Sequence, residues 1–387
     1  MDSPPPVCRK SRMGRPWWVF LVVSCLAVAV GEVGLEGVSR PVAPPPVLEG
    51  GGVHLVLTRY NIGQTSSPVL SETRRQQFES ISKASLEGQS DRRFFWLLTT
   101  DPEAVGPLER ERARRAGDHG WYRFVAVDGV EHHLDFVPLV YLDFVFGGNW
   151  SRFATERGIS HLVTTHLDVD DGLPRTYFET LSNWYAREAE ANRDGFIGAC
   201  ADREVDWVPD ATEPRGLTLL QPNLSWENGC LASGLTIARP LKSSLHEDLC
   251  PICHRHTHIR VSWTDDEVST GPIELLDDHK IFRVRSVSSA GAFNIRLDLD
   301  TKPDDTRFTP ADPAFLKNTY NIDTISTLND YLVQQSEAIA TEMLHNSDAA
   351  GCNPAFAASD DSCGRAKLTS AAFLENLRNM SAAPPKN

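Results

Sequence analysis

The residues with the clearest chemical meaning are Asp168, Asp170 and Asp171, at the end of the segment Leu162–Asp171 (LVTTHLDVDD). An apolar strand-like run leads into them. In open α/β sheets ligands bind beyond the carboxyl ends of the strands, and this cluster stands there. If strand geometry persists, Asp168 and Asp170 point to one side and Asp171 sits at the turn. Crowded carboxylates raise one another's pKa unless a cation neutralises them. A hard divalent ion, Mn2+ or Mg2+, prefers oxygen ligands of this kind. The three aspartates are therefore read as a metal site. A plainer reading stands beside it, with Asp171 as an ordinary helix N-cap. A second Asp-x-Asp, Asp298-Leu299-Asp300, runs into charged residues and reads as a solvated loop.

Positioning such a cluster needs a sheet, and the pattern supplies one. Val53–Thr58 (VHLVLT), Phe94–Thr99 (FFWLLT), Trp121–Val127 (WYRFVAV) and His161–Leu167 (HLVTTHL) are apolar, strand-like runs. Helix-length segments separate them: Glu72–Leu86, with Phe78, Ile81, Ser85 and Leu86 at helical spacing, then Glu109–Ala116 and Trp150–Arg157. Strands alternating with helices predict βαβ units, hence an α/β fold with a mainly parallel central sheet flanked by helices. Pro174–Ala189 follows the aspartates as a helix, with Pro174 tolerated in its first turn. The second half is less regular. Phe196–Ala199, Leu235–Ala238, His258–Trp263, Ile281–Val284 and Phe293–Leu297 are short strand candidates, and Thr324–Leu344 is a clear amphipathic helix.

At this point the residues resemble a family, the rhamnosyltransferases, a branch of the GT-A nucleotide-sugar glycosyltransferases. Thr58-Arg59-Tyr60-Asn61 resembles that family's Arg-Phe-Asn after its first strand. Ser85-Leu86-Glu87-Gly88-Gln89 followed by Phe95-Trp96-Leu97 resembles its Pro-Ser-Leu-x-x-Gln and Phe-x-Trp-Leu. Asp101-Pro102-Glu103 resembles Asp-Pro-Glu, and Thr164–Asp171 resembles Thr-Thr-Arg-Leu-Asp-Asn-Asp-Asp, with His166 in place of arginine and Val169 in place of a polar residue. The similarity spans Val53–Glu190.

The resemblance implies a GT-A-like fold and a nucleotide-sugar donor. Arg59 and Asp101 would face the nucleotide, Asp168 would lie near the donor ribose or metal, and Asp170 or Asp171 would hold the metal against the diphosphate. The metal would stabilise charge developing on the leaving group. An acceptor hydroxyl on a glycan or glycoconjugate would attack with help from a general base. Asp277, Asp278 and His279 in Ile273–Lys280 (IELLDDHK) are the catalytic candidates; an exposed turn between strands is the other reading. Two further functions stay open: a haloacid-dehalogenase-type phosphatase, with Asp168 as nucleophile and Asp170 as acid, and a non-catalytic secreted glycoprotein. Against the phosphatase, that motif continues Gly-Thr, whereas here Asp171-Gly172-Leu173 intervenes.

Composition sets the setting. The chain has 387 residues with 52 acidic and 38 basic side chains, net −14. Arg9, Lys10, Arg12 and Arg15 cluster at the start, so the body is more acidic still. Such a body repels a phosphate backbone, which argues against nucleic acid as a partner. After the basic stretch, Trp17–Val30 (WWVFLVVSCLAVAV) carries no charge. A basic stretch before a short apolar run is the pattern of a secretory leader, either cleaved near Ala27-Val28-Ala29 or retained as a signal anchor in the Golgi membrane. The Pro/Gly-rich Arg40–Gly52 reads as a linker. The expected organisation is a leader and linker over 1–50, a GT-A-like domain over 51–320, and a helical extension with a disordered tail over 321–387.

The sequons at Asn149, Asn223 and Asn379 and the even set Cys200, Cys230, Cys250, Cys253, Cys352 and Cys363 suit an oxidising lumen. Cys352 and Cys363 are the expected pair. Cys250 and Cys253, near His254, His256 and His258, are read as bridged cysteines, with structural zinc as the alternative.

Overall fold

The computed structural model describes residues 46–61, 67–116, 121–126, 150–192, 196–222, 224–225, 229–230, 233–241, 270–284 and 308–349. In chain order its strands are β1 Gly52–Arg59, β2 Phe95–Thr100, β3 Tyr122–Ala126, β4 His161–His166, β5 Asp171–Gly172, β6 Phe196–Val208, β7 Leu217–Pro222, β8 Leu224–Ser225, β9 Gly229–Cys230, β10 Thr236–Pro240, β11 Thr270–Val284 and β12 Thr309–Pro310. The helices are α1 Pro68–Gln77, α2 Lys83–Glu87, α3 Pro102–Ala116, α4 Trp150–Arg157, α5 Tyr177–Ala191, α6 Pro313–Tyr320 and α7 Ile325–Ala349. A π-helical segment, Phe78–Ser82, joins α1 to α2.

The fold is α/β with a mainly parallel central sheet, as the alternating pattern predicts. The order β3-β2-β1-β4 is parallel throughout. Next to β4 lies β10, antiparallel to both β4 and β6. That reversal restores the original direction in β6, and β11 runs parallel along it. Every parallel crossover over the first half carries a helix, because parallel neighbours cannot be joined by a tight turn.

β1, β2, β3 and β4 are buried almost end to end, as befits strands covered on both faces. One apolar cluster joins Val56, Trp96, Leu98 and Phe124 of the sheet to Phe78, Phe178, Leu181 and Trp184 of the helices. A second joins Val205, Trp207, Phe282 and Val284 to Leu316, Tyr320, Ile325, Leu328, Leu332 and Ile339. The C-terminal helix is therefore built into the same body as the sheet, with residues on both sides of position 320 in one cluster.

Three readings of the pattern need correction. The helix placed over Pro174–Ala189 begins at Tyr177, with Thr176 at the N-cap, because residues 173–175 are held as a loop by Gln89 and Thr319. The short strand Phe196–Ala199 continues to Val208, and Ile281–Val284 begins at Thr270. In β6, Glu204 and Asp206 alternate with Val205 and Trp207, while in β11 the polar run Asp277–Lys280 lies where the pairing with β6 slips. Cys200, buried in β6, is disulfide-bonded. Cys352 and Cys363, Cys250–His258, Asp298–Asp300, the three sequon asparagines and the leader lie outside the described residues. Among the described residues no helix is long and apolar enough to cross a membrane.

His54 shows what the buried sheet costs a polar side chain. Its Nε2 meets the Thr165 hydroxyl at 2.8 Å, and its ring packs edge-on against Phe178. Burial lowers its pKa to about 3, against a small opposing pull from Asp91. The folded protein thus holds His54 neutral while the unfolded chain protonates it below about pH 6.5. Its contribution to stability is intact above that pH and is lost as pH falls towards 3, by up to about 1.4 kcal/mol per pH unit. The stability gap between wild type and His54→Leu should therefore narrow between pH 6 and pH 4 in chemical denaturation. A gap independent of pH would contradict a neutral, buried His54.

Candidate functional site

The site forms where β4 ends. Leu167 N donates to Leu57 O at 3.0 Å, so the chain stays beside β1 for one residue after the strand. It then turns, with Asp171 N donating to Asp168 O at 3.1 Å. Val169 is buried, and its carbonyl accepts from Ser82 Oγ at 3.0 Å. β5 then pairs with β11, setting Asp171 opposite Arg283 and Gly172 opposite Phe282.

Strand geometry does not persist through the aspartates, so the expectation that Asp168 and Asp170 share one side fails. The turn spreads the three carboxylates, and each meets a different cation. Asp168 Oδ1 lies 3.9 Å from Arg59 Nη2 and 3.5 Å from His166 Nε2. Asp170 Oδ2 lies 3.5 Å from Arg74 Nη1. Asp171 Oδ2 lies 3.9 Å from Arg283 Nε, whose Nη1 donates to Glu204 Oε2 at 2.8 Å. Asp171 is a strand residue well before α5, so the helix N-cap reading also fails.

Exposure separates the three. The Asp168 and Arg59 side chains are 20% and 37% exposed, against 5% and 3% for Asp170 and Arg74. The carboxyl pKa values shift along the same division. Burial pushes the Asp168 carboxyl up, but His166, Arg59, Arg283 and Arg74 together overcome it and hold it below the usual carboxylate range. For Asp170, burial outweighs Arg74 and raises the pKa. For Asp171, burial outweighs Arg283, and Asp170 and Asp168 add to the rise, which is large. Burial disfavours the Arg283 cation, yet Asp171, Glu204 and Asp206 around it hold it above the ordinary arginine value.

Arg59 and Asp168 are thus brought together at the carboxyl ends of adjacent parallel strands. Asp101 follows β2 directly and precedes α3, where its carbonyl accepts from Ala104 N at 3.0 Å. Asp277, Asp278 and His279 do not lie in a turn between strands. They sit inside β11, where its pairing with β6 slips between Leu276 and Lys280. The His279 ring packs against Tyr177 at 5.8 Å. Arg283, opposite Asp171, lies four residues further along β11 than His279.

Arg74, Glu204, Asp206 and Arg283 escaped the sequence reading, although two signals were available. Asp202, Glu204 and Asp206 alternate with Val205 and Trp207, the period-two pattern of a strand with one charged face. Arg74 falls on the buried stripe of Leu70, Gln77 and Ile81, an unusual place for a cation.

Among the described residues no three His, Cys, Asp or Glu side chains are arranged to hold a metal ion. A hard cation bound with a diphosphate needs only one or two carboxylates, since phosphate oxygens and water complete its shell. Asp168, ionised and partly exposed, fits that role.

No family model and no curated protein matches the sequence. Among solved structures the chain is similar to S. aureus TarS 1–349, at 10% identity over 85% of this chain and 92% of that one, with a TM-score of 0.30. The same protein in complex with UDP aligns at 9% identity over 85% and 92% of the two chains, with a TM-score of 0.28. TM-scores this low add nothing to the geometry above.

Arg283 should be structurally indispensable. Arg283→Met leaves Glu204 and Asp171 buried without their cation, which typically costs about 3–5 kcal/mol. Arg283→Lys keeps the charge but cannot fork between two carboxylates and should fall between. Urea denaturation measures both, and a wild-type midpoint for Arg283→Met would refute the pairing.

Proposed function

We propose that the chain is a nucleotide-sugar glycosyltransferase, transferring a sugar from a nucleoside diphosphate to an acceptor hydroxyl. One observation carries the reading. An ionised, partly exposed carboxylate, Asp168, and a partly exposed arginine, Arg59, meet at the carboxyl ends of β4 and β1, where an open α/β sheet takes its ligand. Arg59 offers a planar fork of donors suited to phosphate oxygens. Asp168 would hold a Mn2+ or Mg2+ ion or the donor ribose beside it. The bound metal would supply positive charge to the departing nucleoside diphosphate. Rhamnose as the sugar is proposed from the family resemblance alone; that resemblance ends near Glu190 and does not reach the acceptor, for which a glycan or glycoconjugate is proposed.

The phosphatase alternative requires Asp170 to deliver a proton to a leaving group. Asp170 is buried against Arg74, which disfavours that role. The secretory pathway is proposed as the compartment, supported by the basic-apolar leader and by the disulfide at Cys200, since such bonds persist where the surroundings are oxidising.

The test is donor hydrolysis by the full chain across a panel of nucleotide sugars, with and without Mn2+, beside p-nitrophenyl phosphate as the phosphatase control. Asp168→Asn should lower turnover on the order of a hundredfold to a thousandfold. Its folding stability should change by less than about 1 kcal/mol, since the carboxylate is partly solvated. Arg59→Ala should weaken uridine diphosphate binding and lower the melting temperature less than loss of the buried Arg283 does. Hydrolysis of p-nitrophenyl phosphate with no turnover of any nucleotide sugar would reverse the assignment.

A further inference from the structure

We infer that Asp170 is not a ligand for the donor's metal or diphosphate but the inner half of an ion pair with Arg74. That pair positions the acidic turn and leaves Asp168 as its ligand-facing carboxylate. The inference deepens the glycosyltransferase reading and rests on it for the identity of the ligand.

Three observations point the same way. Asp170 and Arg74 are both almost fully buried and lie 3.5 Å apart, whereas Asp168 and Arg59 reach solvent. The backbone at Asp170 is also committed inward, since its carbonyl accepts from Val284 N at 3.3 Å. Finally, Arg74 is held from several directions. Its Nη1 donates to Gln77 Oε1 at 3.4 Å. Glu342 of α7 accepts from Leu70 N at 2.7 Å near the start of α1, and the Thr73 hydroxyl lies 3.3 Å from Tyr331 of α7. The π-helical segment that follows brings Ser82 to the Val169 carbonyl in the same turn. α1 and the π segment thus grip the turn at two successive residues, once by charge and once by a hydrogen bond. A buried carboxylate so held would have to break its pair to reach a ligand. Removing one partner leaves a buried charge uncompensated, whereas removing both does not. Arg74 is accordingly a positioning residue.

The experiment is a double-variant cycle on the full chain: Asp170→Asn, Arg74→Met and the two combined. It reads thermal midpoint, affinity for uridine diphosphate with Mn2+, and donor hydrolysis. Each single variant should lose roughly 5–10 °C in Tm. The combined variant should recover most of that loss and bind uridine diphosphate within about threefold of wild type, which corresponds to less than a tenfold step of 1.4 kcal/mol. A combined variant that regains its Tm but binds at least tenfold more weakly would make Asp170 a ligand and overturn the inference. Additive losses of Tm would overturn it too, by showing no pair. If wild type neither binds uridine diphosphate nor turns over a nucleotide sugar, the glycosyltransferase reading falls, and the Tm cycle alone still decides whether the pair exists.

Discussion

Three carboxylates within four residues cannot be folded into the end of a sheet without cations to meet them. The desolvation cost of a lone buried carboxylate is several kcal/mol, and neighbouring like charges add to it. In this protein the cations come from three separate places: Arg59 at the end of β1, Arg74 in α1, and Arg283 in β11. Much of the surrounding architecture serves to deliver those guanidiniums. The parallel pairing of β1 with β4 brings Arg59 alongside, and the pairing of β5 with β11 sets Arg283 opposite Asp171.

The arrangement divides the aspartates by depth. Asp170 and Asp171 turn inward and are raised in pKa by burial, while Asp168 remains partly open and is held ionised by its neighbours. Of the three aspartates, Asp168 is therefore the one that reaches solvent, beside Arg59. The two buried aspartates contribute a fixed backbone. A charged ligand bound at such a rim would meet supporting groups that are already fixed.

The supporting shell also explains the role of the C-terminal helix. α7 contributes Ile325, Leu328, Leu332 and Ile339 to a core shared with β6 and β11, and Glu342 secures the start of α1. A helix more than 250 residues distant in sequence from α1 thus helps set where Arg74 stands. Gln89 does comparable work on the other side. Its amide donates to the Leu173 and Pro174 carbonyls and accepts from Phe178 N, fixing the loop between the aspartates and α5.

By itself the sequence determined the alternation of strands and helices through Leu167, because apolar runs of strand length and helical stripes are local properties. It also determined that Asp168 follows a buried strand, where a ligand site belongs, and that Arg59 ends another. Tertiary structure decided the rest. Whether the strand continued through Asp170 depended on β11 drawing Asp171 and Gly172 into a new pairing, which no local pattern encodes. Which carboxylate faces solvent depended on Arg74 and Arg283, contributed from about 100 residues before and after the turn. The charged face of β6 was written in its period-two alternation, but its meaning required Arg283 beside it. Electrostatic pairing acts through space between distant segments, so spacing along the chain could mark the carboxylates but not assign their partners.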